Sequence, residues 1–350
     1  MTSFLKKYYR LLRGCYIYLR YIIFRRKNTV HQNKLIFFEL NHNRFERYFY
    51  LLCKFYLLEG YQIGIKVNFN FLGNIERYSK LLLVDENVHF FLVNQKSRQF
   101  FCTNPTSKKG IFLSDQYFEK SSEDSYHVPM TLHPLMYQDE FWNEIIESTS
   151  SRKKAIFFAG SLEKGHYDRK ELELKFGVFN RVFLANSLST SQHWFKVSNF
   201  QEIENGAEKK IYFLDRNKVN VPMPMLRKTL SKFSFFLACP GVSMPFSHNI
   251  IEAMSVGCIP IIEENYANLF NPKLIHLENA IIFANDEENL KETIELAFSL
   301  DEYQINKMHN TVNEYYSTHL IPKSVLNNLF ENQLSTCFLN AEAFSVSYMK

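Results

Sequence analysis

From Lys34 onward, apolar runs of strand length alternate with amphipathic stretches of helix length, which predicts an α/β chain. Strands are expected at Leu35–Phe38, Ile63–Val67, Leu81–Val84, His89–Val93, Phe100–Cys102 and Ile111–Leu113, and a helix at Phe45–Leu58 that Gly60 ends. A charged, Ser-rich stretch from Asp139 to Arg152, with Ser148-Thr149-Ser150-Ser151 at its end, marks the expected domain boundary. A second strand series then opens at Lys154–Gly160 and continues at Lys210–Leu214, Ser234–Ala238, Cys258–Ile262 and Ala280–Ala284. Helices are expected at Met223–Phe233, Asp286–Ser299, Asp301–Thr318 and Pro322–Gln333. The pattern divides the chain into residues 30–145, residues 152–320 and a helical tail, 321–350.

The densest stretch is Ser234 to Glu263. Its first strand stops at Pro240-Gly241, and Ser247 stands where a helix N-cap belongs. Ile250, Ile251 and Met254 share a helical face, Gly257 closes the helix, and a second buried strand follows. Two buried strands joined by a crossover helix make a βαβ unit, with an anion seat expected at residues 241–249 and Glu252 a turn further on.

The N-terminal segment follows a different pattern. Leu5, Tyr8, Leu12, Cys15, Tyr16, Leu19, Ile22 and Ile23 recur at helical spacing, with Lys6, Arg10, Arg13 and Arg20 elsewhere on the wheel. Residues 1–28 hold eight basic side chains (Arg25, Arg26 and Lys27 among them) and no acid, so they carry +8 and leave −3 of the net +5 to the remainder. A mildly acidic body excludes nucleic acid as the natural partner. The uncharged run Gly14–Leu19 is too short to span a bilayer, and Arg13 and Arg20 interrupt any signal-peptide core. Two readings stay open for this helix: an interfacial anchor on an anionic cytoplasmic leaflet, or a basic helix packed on its own domain. With 46% hydrophobic residues each half can bury a core. The six scattered cysteines show no CxxC pair, which points to a reducing compartment without structural zinc.

Cys239-Pro240, Ser247, Ile250-Ile251, Glu252-Ala253 and Gly257-Cys258-Ile259-Pro260-Ile261-Ile262 together resemble the C-terminal signature of exostosin-like glycosyltransferases of the GT-B fold. The match covers about 30 of 350 residues. Asn249 stands where that family commonly has arginine, and Met244 where related retaining enzymes have the first Glu of a pair. The resemblance implies two Rossmann-like domains facing a central cleft, with residues 30–145 on the acceptor side and 152–320 binding a nucleotide-sugar donor. It implies sugar transfer to a glycan or lipid-linked acceptor in bacterial surface polysaccharide synthesis (lipopolysaccharide or capsule), at the inner face of the cytoplasmic membrane. A UDP-sugar is the expected donor. No cofactor is expected, and the absence of an Asp-x-Asp motif argues against a required metal.

Such a transfer needs charge for the diphosphate, a carboxylate for ribose or sugar hydroxyls and, if inverting, a base for the acceptor hydroxyl. Gly241, Ser247, His248 and Asn249 fit the first need, together with Lys164 and Arg169 from the loop after Gly160. Glu252 fits the second. Candidates for the base are Asp115 first, then Glu39, both at strand ends, and His133 in a loop. Two alternatives share the pattern: a nucleotide-sugar epimerase of the same two-domain shape, and a non-catalytic glycan-binding module, which Asn249 and Met244 favour.

Overall fold

The structure is a computed structural model that describes residues 3–24, 29–42, 44–107, 109–120, 122–146, 152–331 and 333–349. Arg25, Arg26, Lys27 and the Ser148–Ser151 patch lie outside the described residues. The chain divides into two compact units, residues 1–128 with 322–350, and residues 129–321.

The first unit holds a seven-stranded sheet whose strand pairings are all parallel. Its strands are β1 (Leu35–Glu39), β2 (Gln62–Lys66), β3 (Val88–Phe91), β4 (Gln99–Cys102), β5 (Ile111–Ser114), β6 (Ser125–His127) and β13 (Thr336–Phe338). The order is β3-β2-β1-β4-β5-β13-β6. Leu35 to Phe38 are fully buried, as expected of a central parallel strand covered on both faces. The second unit holds β7 (Lys153–Gly160), β8 (Trp194–Phe195), β9 (Ile211–Asp215), β10 (Phe233–Leu237), β11 (Ile259–Glu263) and β12 (Ile281–Phe283). They run in the order β12-β11-β10-β7-β9-β8, again with parallel pairings. The fold class is therefore α/β, with two Rossmann-like sheets in one chain, the make-up of the GT-B class.

Three expectations are corrected. Leu81–Val84 is not a strand: Leu81 to Leu83 end a 3-10 turn, Arg77–Leu83, which Glu46 pins by accepting from the amides of Tyr78 and Ser79 at 3.0 and 3.4 Å. The tail is not wholly helical, because β13 inserts between β5 and β6 and returns residues 322–350 to the first unit. The division falls at Val128/Pro129, ahead of the Ser-rich patch. Residues 129–144 go with the second unit because buried Arg227 donates to the carbonyls of Phe141 and Glu144, each at 2.9 Å, and Tyr137 packs on Trp142.

The N-terminal helix α1 (Ser3–Phe24) packs on its own domain and leaves one face uncovered. One face is fixed to the first unit. Gly14 lies against the Phe69 carbonyl of the short helix Phe69–Gly73, where a Cβ would come within 2.0 Å. There Arg13 donates to the carbonyls of Gly73 and Ile75, both at 3.0 Å, and Tyr21 accepts from the Phe90 amide at 3.1 Å. The other face is open: Leu5, Tyr8, Leu12, Tyr16, Leu19, Ile22 and Ile23 are exposed beside exposed Lys6, Lys7, Arg10 and Arg20. Among the described residues, no helix is long and apolar enough to cross a membrane.

Candidate functional site

In the second unit the chain goes from β7 to β8 and β9 on one side, then returns to β10, β11 and β12 on the other. The topological switch point therefore lies between β7 and β10, and open α/β sheets bind ligands outside the carboxyl ends of the strands there. Two loops meet at that place, the one after Gly160 and the one running from Ala238 to Ser247. The second loop is compact: the Gly241 amide donates to Pro245 at 3.0 Å, and a Cβ on Gly241 would fall 2.7 Å from the Phe246 carbonyl. Only glycine fits.

Six of the expected residues converge here. Gly241 and Ser247 lead into the helix His248–Met254, which spans only seven residues. Ser247 stands at the N-cap in extended backbone, but its hydroxyl makes no capping bond, while its amide donates to the Tyr266 hydroxyl at 3.0 Å. Asn249 donates from Nδ2 to the Ala159 carbonyl at 3.0 Å, so it ties the helix to the end of β7. Glu252 is buried, and burial pushes its carboxyl up to about 7, only partly opposed by the His133 amide, which donates to Oε1 at 3.4 Å. The His133 and His248 rings meet edge to face, 4.9 Å apart. His133 Nδ1 accepts from the Leu135 amide at 3.3 Å, so the neutral ring carries its proton on Nε2.

His133 thus corrects an expectation. A boundary at residues 139–152 puts it in the acceptor-side domain, yet it belongs to the second unit, where it packs beside Glu252 and His248. The physical reason is the early division of the chain at Val128/Pro129. Lys164 and Arg169 are exposed on the loop after β7, and Arg169 Nε donates to its own loop at the Gly165 carbonyl, 3.1 Å away.

Arg181 belongs to none of the motifs read in the sequence. It is 3% exposed and donates to the carbonyls of both loops, Ser161 at 3.1 Å and Pro240 at 2.8 Å. A usable signal exists: Arg181 is the one formal charge in the run from Phe176 to Gln192. A second buried carboxylate, Glu263, accepts from the Phe179 amide at 2.8 Å and from Asn285 Nδ2. Burial pushes it up to about 7 as well.

The first unit has its own switch point, between β1 and β4. Glu39, at the carboxyl end of β1, is ion-paired to Lys66 at the end of β2. Asp115 follows β5 and accepts from Arg44 at 3.0 Å, while Arg44 also donates to the Tyr348 hydroxyl at 2.7 Å. Ser345 donates to the Asp115 carbonyl at 2.7 Å, so the C-terminal segment seats itself beside this carboxylate. His42, also unread in the sequence, lies in the loop after β1, held below its ordinary pKa by burial and partly offset by Asp115. Glu39 and Asp115 are each paired to a cation of their own. Among the described residues, no group of three or more His, Cys, Asp or Glu could hold a metal ion.

No family model matches the chain, and no curated protein matches its sequence. Solved structures do resemble it. A glycosyltransferase from Rickettsia africae is 11% identical, covering 86% of this chain and 98% of that one at a TM-score of 0.44. HepE from Anabaena in complex with UDP is 10% identical, covering 85% of this chain and 98% of that one at 0.47. WaaG, a glycosyltransferase involved in lipopolysaccharide biosynthesis, is 8% identical, covering 84% and 99% at 0.38.

Proposed function

We propose that this chain is a GT-B glycosyltransferase of exostosin-like type, which moves a sugar from a nucleotide-sugar donor, a UDP-sugar in our reading, to a glycan or lipid-linked acceptor. The observation that carries this reading is Glu252: a buried carboxylate at the switch point of the second unit, at the centre of the signature residues Cys239 to Ile262. In this reading Glu252 accepts from vicinal hydroxyls of ribose. The diphosphate lies along Gly241, Ser247, His248 and Asn249, and exposed Lys164 and Arg169 contribute positive charge to it.

For the acceptor proton, Asp115 remains our assignment, with Glu39 behind it. Asp115 is buried at a strand end and lies within electrostatic reach of His42, whose pKa burial lowers and Asp115 partly restores. His133 leaves the acceptor side and joins the donor group beside Glu252. The open face of α1, apolar with basic flanks, suits an anionic membrane surface, and six unpaired cysteines suit a reducing compartment. We therefore place the enzyme on the inner face of the cytoplasmic membrane, building a bacterial surface polysaccharide.

Incubation with a panel of nucleotide sugars, followed by chromatography of the nucleotides, tests the reading. Slow release of a nucleoside diphosphate from one donor is the expected result. An isomerised donor would mean an epimerase, and a panel left intact with measurable binding would mean a non-catalytic module.

A further inference from the structure

Among the described residues, Arg181 is a buried cation without a carboxylate partner. Its guanidinium rests on the rings of Tyr167 and Phe158, 4.1 and 5.2 Å from their centroids. Two of its nitrogens are spent on carbonyls, those of Ser161 and Pro240, and Nε makes no hydrogen bond. Gly160 gives it room, because a Cβ there would fall 2.9 Å from Nη1.

An arginine stays protonated in proteins, and burying an unpaired charge is costly. Carbonyl dipoles and ring faces offset part of that cost and leave the positive charge itself uncancelled. The two acceptor carbonyls belong to the two loops that meet at the switch point between β7 and β10. The charge is therefore fixed under the place where the topology seats a ligand, in surroundings where it is weakly screened.

We propose that Arg181 is the positive pole of the diphosphate seat: a positioning residue that holds the loops after β7 and β10 by their carbonyls and meets the ligand's negative charge through its field. The inference rests on the donor reading above and names a residue outside the signature.

The test uses the full chain and three probes. These are the nucleoside diphosphate bound best among UDP, GDP, ADP and CDP, its parent nucleoside, and inorganic pyrophosphate, with affinities from calorimetry or competition. Arg181→Gln removes the charge, and Arg181→Lys keeps it without the two-pronged grip. The Gln variant is expected to lose roughly ten- to a hundredfold in affinity for the diphosphate and pyrophosphate, the range of a charge-assisted contact. Nucleoside affinity should stay within about threefold, and the Lys variant should recover most of the anion affinity. A merely structural residue would weaken nucleoside and diphosphate alike, so equal losses overturn the proposal, as do unchanged affinities. If the Gln variant does not fold, the Lys variant decides by its diphosphate-to-nucleoside ratio; if neither folds, Arg181 belongs to the fold and the proposal fails. Wild-type protein that binds none of the probes sinks the donor reading, and this inference with it.

Discussion

Replacing Glu252 by glutamine should make the protein more stable at alkaline pH and less able to bind nucleotide. The carboxyl is buried, and burial lifts it from 4.5 to about 7, whereas in the unfolded chain it returns to its ordinary value. Below about pH 4.5 both states hold the proton and there is no difference. Between about 4.5 and 7 the unfolded chain ionises first, so wild-type stability falls as pH rises through this window, then levels off. At ~1.4 kcal/mol per pH unit, the gap amounts to about 3 kcal/mol. Glu252→Gln lacks this loss, and its amide oxygen still accepts from the His133 amide. The difference in unfolding free energy, variant minus wild type, should therefore grow by about 3 kcal/mol from pH 4.5 to pH 8 in urea melts. Glu263 titrates in the same window but is common to both proteins and cancels. Binding should move the other way. An ionised Glu252 is the better acceptor for ribose hydroxyls, so wild-type affinity for UDP should rise through pH 7. The variant should bind about ten- to a hundredfold more weakly at pH 8, with a flatter profile. UDP's own phosphate titrates nearby, and the variant supplies the baseline that removes it. A stability difference that does not change with pH would refute the burial argument, and an unchanged UDP affinity would refute the ribose assignment.

The membrane reading is checked on the open face of α1. Leu12→Glu, Leu19→Glu and Ile23→Glu together should abolish co-sedimentation with anionic liposomes without lowering the melting temperature, because these side chains are 69%, 56% and 69% exposed. Basic residues near an anionic surface contribute about 1 kcal/mol each before screening, so wild-type binding should also weaken with salt; equal sedimentation of variant and wild type would show that the face has another purpose. The base is checked by Asp115→Asn, which should abolish slow donor hydrolysis while nucleotide affinity stays within about 1 kcal/mol of wild type. Near-normal turnover would move the assignment to Glu39.

Much of the fold was legible because central strands of parallel sheets are continuous apolar runs. Leu35 to Phe38 and Ile259 to Ile262 could hardly be anything else. Short elements were less so. The aliphatic run at Leu81 to Val84 has strand composition, but a carboxylate from another helix fixes its backbone, and no local pattern encodes that bond. β13 is three residues long, and its place between β5 and β6 depends on partners more than 200 positions away in sequence. The Ser-rich patch read as a boundary because polar, small residues interrupt periodicity there. The contacts of Arg227 with Phe141 and Glu144 instead attach residues ahead of the patch to the second unit. In α1 the apolar stripe was read in full, whereas the anchoring face was hidden, since Arg13 looks like any surface cation and Gly14 like a weak point in a helix.

Position 249 shows what spacing alone leaves out. A signature with arginine two residues after the serine places its cation on the helix; here Asn249 holds that position, which read as a missing clamp. In the structure Asn249 is a tether instead. Its short amide reaches the Ala159 carbonyl, drawing the helix against the end of β7. Arg181 comes to the same strand end from another helix and binds the carbonyl of Ser161, two residues on. In our donor reading the two residues act together: Asn249 holds the helix that carries Glu252 against β7, and Arg181 supplies the positive charge beneath the two loops.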